Sequence, residues 1–318
     1  MTARQQRLLP WLALLTIYVV WGSTYLAIAV VVKEMPPFAA ASIRFLAAGV
    51  AMAALAAWVD REHGLPSRRQ LLEYSVIGVL FLGFGNGIVM WSEQRVPSGI
   101  AALVVATVPL WTTLLDGLRP GGQEWTLRGW LAAGIGLSGV FLIARPDTGS
   151  SAGHLSGVIA LQVAAVSWTC GALYSQSLAK KLPVFTATAV EMIAGSAVLL
   201  VESRLLREDL AGVTTASAAA WGGLGYLVVF GSLIGFTAFA YCLNVMPATT
   251  VSTYAYVNPV VAVALGALLL REPLSAGLLS GGLLILVAVV LATARPRKPA
   301  PPPKLASPEP DTELCDAA

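Results

Sequence analysis

The sequence predicts an all-α membrane protein with ten transmembrane helices, arranged as two inverted five-helix repeats. The chain is 57% hydrophobic and only 12% charged, with a mean hydropathy of +0.75. A soluble domain carries about 25% charged residues. The apolar residues also fall into runs of the length, roughly 20 residues, that crosses a bilayer core as a helix. Finally, one sequence pattern occurs twice.

The spans follow one another with short polar connections. We place helices near residues 9–32, 37–59, 70–91, 97–117, 126–145, 155–178, 183–203, 217–243, 247–270 and 275–294. Arg4 and Arg7 precede the first span as in a signal peptide, but that span is too long for one, so we expect an uncleaved helix. The short alternating runs of a membrane β-barrel are absent from the sequence.

The repeat is visible in the spacing of Trp, Pro and Phe. Trp21 is followed at 15 and 17 residues by Pro36 and Phe38, and Trp168 is followed at the same distances by Pro183 and Phe185. Two further anchors recur at nearly the same shift: Pro97 and Pro109 against Pro247 and Pro259, and the segment from Glu124 against the segment from Glu272. Five spans per copy turn the second copy upside down, which is the arrangement that supports alternating access in secondary transporters.

These boundaries divide the chain into four parts. They are an N-terminus (1–8), two repeats (9–145 and 155–294) and a tail (295–318). Thirteen Lys and Arg residues fall on the side of the N-terminus and six on the other, which predicts that both termini are cytoplasmic. The tail is rich in proline and lacks apolar periodicity, so we expect it to be disordered. We expect a multi-pass protein of a bacterial inner membrane.

Two charged residues fall inside spans, where each requires a reason because a charge is costly in hydrocarbon. Arg44 and Glu191 are repeat equivalents, each eight residues after the proline that opens its helix, or about 12 Å into the bilayer from opposite sides. An ion pair between them fits this depth. The alternatives are that each is satisfied within its own repeat, or that Glu191 takes part in substrate or proton binding.

Amphipathic residues within the first, third, sixth and eighth helices predict the wall of a central cavity. The candidates are Trp21, Tyr25, Asn86, Trp168, Tyr174, Tyr241 and Asn244. Asn86 offers donors and acceptors, and the rings offer faces to a flat or cationic solute. Anchoring at the membrane interface is the competing interpretation for Tyr241, which lies near a helix end.

Pro109 and Pro259 lie at equivalent positions in the middle of spans, and each removes a backbone hydrogen bond. We interpret them as kinks or hinges near the midplane. The pairs Gly231/Gly235 and Gly277/Gly281 predict close helix packing.

Several of these motifs resemble the EamA-type repeat of the drug/metabolite transporter superfamily. They are Trp21-Gly22-Ser23, Pro36-Pro37-Phe38, Arg44-Phe45, Val257-Asn258-Pro259-Val260 and Arg271-Glu272-Pro273-Leu274. The resemblance covers about residues 9–294. It implies ten helices in two inverted halves, cytoplasmic termini, and export or exchange of small metabolites such as amino acids or related amphipathic compounds.

Other functions fit the sequence less well. The two histidines lie in loops and no GxxxxGK[ST] run occurs, so we expect neither an enzyme nor an ATP-driven pump. The spacing of the three cysteines predicts no metal site, and we expect no cofactor. The basic residues form no stripe for nucleic acid. The expected partners are a small-molecule substrate and the lipid bilayer. A passive channel and a lipid-handling flippase stay open, as does the choice between monomer and dimer.

Overall fold

The computed structural model describes residues 3–119, 126–144, 152–179, 181–246, 248–251 and 253–293. Its principal helices are α1 (Ala3–Val31), α2 (Pro37–Val59), α3 (Arg68–Ser92), α4 (Ser98–Asp116), α5 (Leu127–Ala144), α6 (Ala152–Ser177), α7 (Val184–Leu205), α8 (Ala218–Val245), α9 (Tyr254–Leu269) and α10 (Ala276–Thr293). Short helical turns connect some of them, at Arg61–His63, Ala211–Thr215 and Ala248–Val251. The described part of the chain contains no β-strand.

Seven of these helices are long and apolar enough to cross a membrane, namely α1 to α4 and α6 to α8. Shorter apolar helices lie at Leu127–Ile143, Val257–Leu269 and Ala276–Leu291, within α5, α9 and α10. Large apolar side chains on the outside, such as Trp58 and Leu268, suit contact with lipid tails. The prediction of an all-helical membrane protein is confirmed, whereas ten spans and inverted repeats stay predictions.

Equivalent helices of the two predicted repeats pack against each other in antiparallel pairs. The Ser42 hydroxyl of α2 donates to the carbonyl of Ser196 in α7, at 2.9 Å. Further along α2, Gly49 contacts Ile193, which comes earlier in α7. The two helices therefore run in opposite directions.

The pair formed by α5 and α10 is built on two glycines. A Cβ atom on Gly139 would lie 2.6 Å from the carbonyl oxygen of Gly281, and the reverse substitution would give the same distance. Gly136 lies near Ala288, so this pair is antiparallel too. The predicted packing role of Gly281 is therefore realised, because only glycine lets the two backbones approach this closely.

Three helices depart from regular α-helical geometry. α3 and α8 each contain a segment of wide, π-helical turns, Val79–Gly87 and Leu227–Ile234, at equivalent places in the two repeats. α4 is broken at Ala106 and Thr107, and Pro109 opens its second segment. The break lies next to Pro109, where we placed a kink, and the role of Pro109 as a hinge stays a prediction. In the second repeat the corresponding span, expected as one helix over 247–270, ends at Val251 and restarts at Tyr254, upstream of Pro259.

Carboxylates of one half cap helix N-termini of the other half. At the end of the bundle that holds the α1–α2 connection, here named the upper end, Glu208 accepts from the backbone N–H groups of Phe38 and Ala39 at 3.0 and 2.9 Å. Glu272 accepts from the N–H groups of Ser98 and Gly99 at the start of α4, at 2.9 and 3.2 Å.

Two further caps use the same device. Glu34 accepts from the N–H and hydroxyl of Ser217 before α8, and these hydrogen bonds, the backbone one first, hold the pKa of Glu34 below its ordinary value. At the opposite, lower end, Asp60 accepts from the N–H and hydroxyl of Thr186 in α7. The first N–H groups of a helix have no partner within it, so each cap satisfies donors and ties the halves together.

The chain geometry before two of the caps is unusual. Arg207 and Arg271 have φ values of 52° and 55°, in the left-handed region. Each closes a helix C-terminus and is followed directly by the capping glutamate. The N–H of Glu208 donates back to the carbonyl of Ser203, as in a Schellman motif. The left-handed turn directs the carboxylate to the neighbouring helix.

Replacing Glu208 by Ala leaves two N–H groups of α2 without their acceptor. We expect the free energy of unfolding in detergent to fall by about 0.5–2 kcal/mol, the usual range for a lost N-cap. Glu62→Ala is the matched control, because this glutamate is exposed on a connecting turn. Equal thermal unfolding curves for the two variants would contradict the capping role.

Candidate functional site

A cavity lies in the centre of the bundle and is walled by both halves. Its rings come from Trp21 and Tyr25 of α1, Trp168 of α6, Phe236 of α8 and Tyr254 of α9. Its polar side chains are Thr24, Arg44, Asn86 and Asn258. The free volume is ≈ 70 Å³, counted at the centres of water-sized spheres. This space exceeds the minimum for a single water and admits a small solute.

Phe45 packs edge-on against Phe236 beside six rings in the centre of the bundle. These six rings are named the aromatic cluster and are Trp21, Phe81, Trp168, Phe236, Phe239 and Tyr254. Their neighbouring centroids lie 4.6–6.2 Å apart. Trp21 and Trp168, the equivalents that mark the repeat in the sequence, meet edge to face at 5.7 Å and 86°. This separation is in the favourable range for aromatic pairs.

The aromatic cluster separates the central cavity from a second pocket nearer the lower end. Phe81, Phe236 and Phe239 line that second pocket, together with Tyr74, Lys181, Glu191 and Asn244. Phe236 faces both spaces. The cluster is therefore an apolar layer between two cavities.

Arg44 is the charged residue of the central cavity, and it is 2% exposed. Its Nε donates to the Ser232 hydroxyl at 2.9 Å and its Nη1 donates to Oδ1 of Asn86 at 3.1 Å. The guanidinium carbon also lies 4.5 Å from the centroid of the Phe45 ring. Both hydrogen-bond acceptors belong to the wide-turned segments of α3 and α8, and such turns are frequent at functional sites.

Two glycines of α8 make room for the site. A Cβ atom on Gly231 would lie 2.9 Å from Nη2 of Arg44, and one on Gly235 would collide with Nε1 of Trp21. That indole nitrogen donates to the carbonyl of Gly231 at 3.1 Å. The pair predicted to serve helix packing therefore also shapes the cavity wall.

The structure brings together four of the predicted cavity residues: Trp21, Tyr25, Asn86 and Trp168 all line the central cavity. The other three do not. Asn244 lines the lower pocket, and neither Tyr174 nor Tyr241 is among the described residues that line the central cavity. Tyr241 lies four residues from the end of α8, and its anchoring at the membrane interface stays a prediction.

Arg44 and Glu191 do not form the ion pair that their depths allowed. Both are buried, but among the described residues Arg44 has no carboxylate within 4.0 Å. Its donors go to Ser232 and Asn86, and Glu191 lines the lower pocket on the other side of the aromatic cluster. Arg44 is therefore held by two polar side chains at the central cavity, whereas Glu191 lies at the lower pocket.

Sequence reasoning missed several residues of the site. Asn258 lies in a motif quoted above and Ser232 lies between the paired glycines Gly231 and Gly235, but nothing in their spacing showed that they approach Arg44 or the cavity. Glu93, just past α3, was also missed, although it is not among the residues that line the cavity. It is 7% exposed, neither of its carboxylate oxygens has a hydrogen-bond partner among the described residues, and burial, with the nearby Glu272, raises its pKa well above the ordinary value.

Comparisons with known proteins agree with this architecture. The profile of the EamA-like transporter family matches residues 9–145 and again residues 155–294. The chain is 40% identical over 307 residues to the uncharacterized inner membrane transporter YedA of Escherichia coli K12, covering 94% of this chain and 96% of that protein. It is 26% identical to the uncharacterized transporter sll0355 of Synechocystis, over 89% of each chain. A solved crystal structure with 20% identity superposes with a TM-score of 0.62, over 92% of this chain and 98% of that one.

Replacing Gly235 by Ala drives a methyl group into the Trp21 indole. We expect a loss of about 1–3 kcal/mol of stability from overpacking, and a change in intrinsic tryptophan fluorescence. Gly222→Ala, in the same helix, is the control, since its Cβ meets nothing within 4 Å and alanine favours the helix by up to about 1 kcal/mol. Similar thermal unfolding of both variants would show that Trp21 is not held by this contact.

Proposed function

Because the chain belongs to the EamA-like transporter family, we propose that it is a secondary transporter of small metabolites that works by alternating access. The observation that carries the proposal is the central cavity, whose wall takes residues from α1 to α4 and from α6, α8 and α9. One site between two halves is what alternating access requires.

The packing supports two inverted repeats of five spans. The equivalent helices α2 and α7 run antiparallel, and so do α5 and α10. Seven long apolar helices and three shorter ones together supply ten candidate spans. If all ten cross the bilayer, the halves have opposite orientations and both termini lie on one side.

A barrier lies on each side of the cavity. At the upper end, Glu34, Glu208 and Glu272 hold helices of opposite halves together. Towards the lower end, the aromatic cluster separates the cavity from the lower pocket. In an alternating carrier each barrier opens in turn, so breaking the upper caps and parting the rings are the two motions we assign to the cycle.

A channel or a lipid flippase is the alternative. A channel needs a continuous polar path, and the aromatic cluster interrupts it in this conformation. A flippase needs a groove open to the lipid, whereas the cavity residues are mostly buried between helices. We place the protein in the inner membrane of a bacterium, as YedA is named for E. coli, with both termini in the cytoplasm.

The first test of the transport proposal compares the metabolites that cells release with and without the protein. A metabolite whose release depends on the protein is then loaded into proteoliposomes that contain the purified protein. We expect counterflow, in which unlabelled solute inside drives transient accumulation of labelled solute. Counterflow is a property of a carrier. Flux of the solute without counterflow would show a channel and would contradict alternating access.

Accessibility of the cavity gives a second test that needs no substrate. In a variant with Cys170, Cys242 and Cys315 replaced by Ala, we expect Tyr25→Cys to react with an impermeant thiol reagent both in intact cells and in inverted vesicles. Val19→Cys is the control, because Val19 is exposed on the lipid-facing side of α1. A Tyr25→Cys protein that is inert from both sides, like the control, would show that the cavity does not open.

A further inference from the structure

The charge of Arg44 has no counter-ion among the residues that the structure describes. Arginine stays protonated in proteins, and a buried charge without a partner is expensive in a membrane. No carboxylate of the described residues lies within 4.0 Å of the guanidinium, and no acidic side chain lines the central cavity in that part of the chain. The neighbouring Phe45 ring attracts the cation but cannot neutralise it.

The guanidinium also has donors to spare. It carries five N–H bonds in a planar fork, and the hydrogen bonds to Ser232 and Asn86 use Nε and one hydrogen of Nη1. Because these two acceptors fix the plane of the fork, the remaining donors on Nη1 and Nη2 are held in a set direction. An oxyanion that accepts two parallel bonds suits such a fork.

The rest of the cavity is apolar on one side. The rings of Trp21, Trp168 and Tyr254 and the aliphatic side chains of Val105 and Val108 complete the wall. The indole N–H of Trp21 is already bonded to Gly231, so that ring offers only its apolar surface. A ligand here meets one cation, the polar side chains of Thr24, Asn86 and Asn258, and a remaining wall of rings and aliphatic side chains.

We propose that Arg44, positioned by Ser232 and Asn86, binds the carboxylate of a small monocarboxylate substrate whose short apolar part lies against the aromatic cluster. The assignment rests on the proposed function and names the substrate class of the same cavity. Inorganic phosphate fits less well, because at neutral pH a large part of it is doubly charged and the described wall supplies one cation. An amine fits less well, because no acidic residue of the described wall pairs with it.

The test measures thermal unfolding of the purified full-length protein in detergent, titrated with sodium butyrate, butyramide, butylammonium chloride or sodium phosphate at constant ionic strength. A ligand that binds only the folded protein raises the unfolding temperature with its concentration. We expect a saturable rise with butyrate and none with the neutral amide, the cation or phosphate. An equal rise with butyramide or butylammonium would overturn the assignment, as would a rise with phosphate alone.

Three variants test whether butyrate binds at Arg44. In Arg44→Gln we expect the apparent affinity for butyrate to fall at least about thirtyfold, as when one partner of a buried charge pair is removed. Asn86→Leu keeps the cation but loses one positioning bond, so we expect a smaller loss. Arg61→Gln, which removes an exposed arginine, is the control and should keep the wild-type response. An unchanged butyrate response in Arg44→Gln would overturn the assignment. Should Arg44→Gln fail to fold, the comparison of the four ligands on the wild-type protein tests the assignment by itself.

Failure of this inference and failure of the proposed function are separable. Counterflow of a metabolite without a carboxylate, with no stabilisation by butyrate, would refute the substrate class and leave the carrier mechanism standing. Stabilisation by butyrate that depends on Arg44, without counterflow of any solute, would support the site and refute the carrier mechanism.

Discussion

The fold depends on hydrogen bonds between carboxylates of one half and helix N-termini of the other. A helix that starts at the edge of a bilayer has N–H groups without acceptors, and leaving them buried is costly. Glu208, Glu272 and Asp60 each satisfy such groups on a helix of the opposite half. The same bonds that stabilise each helix start therefore set how the halves meet. Their ionic character makes them stronger than hydrogen bonds between neutral groups.

Close packing between halves places the polar groups of the site. Glycines let α5 approach α10 and let Arg44 and Trp21 enter the surface of α8. The wide turns of α3 and α8 then present Asn86 and Ser232 to the guanidinium. The two matched segments differ here, because at every shift from 147 to 150 residues the positions equivalent to Asn86 and Ser232 hold glycine or an apolar residue. The site is therefore asymmetric, with its polar side on Arg44.

Hydropathy and the repeat spacing predicted the helices closely, since span length is set by bilayer thickness and is visible in one dimension. Amphipathic side chains within the spans led us to expect a cavity shared by Trp21, Asn86 and Trp168, and all three line it. Arg44 and Glu191 do not form an ion pair, although their expected depths are similar. Depth in the bilayer does not determine the direction in which a side chain leaves its helix. A wide turn adds a residue and rotates the remainder of the helix by about 100°, which no hydropathy pattern reveals. Ser232 and Asn258 could not be assigned to the cavity because the sequence does not show the direction in which their side chains leave their helices.

The aromatic cluster has an energetic consequence for the cell. A bacterial membrane stores energy as a voltage, and each charge that crosses 100 mV dissipates about 2.3 kcal/mol. Six rings packed between the cavity and the lower pocket interrupt any chain of water molecules along which protons could hop. In the proposed transport cycle, the cluster acts as an electrical insulator. A protein that opened both sides at once would let ions cross and discharge the membrane voltage, and in that cycle the rings let a solute be exchanged without this loss.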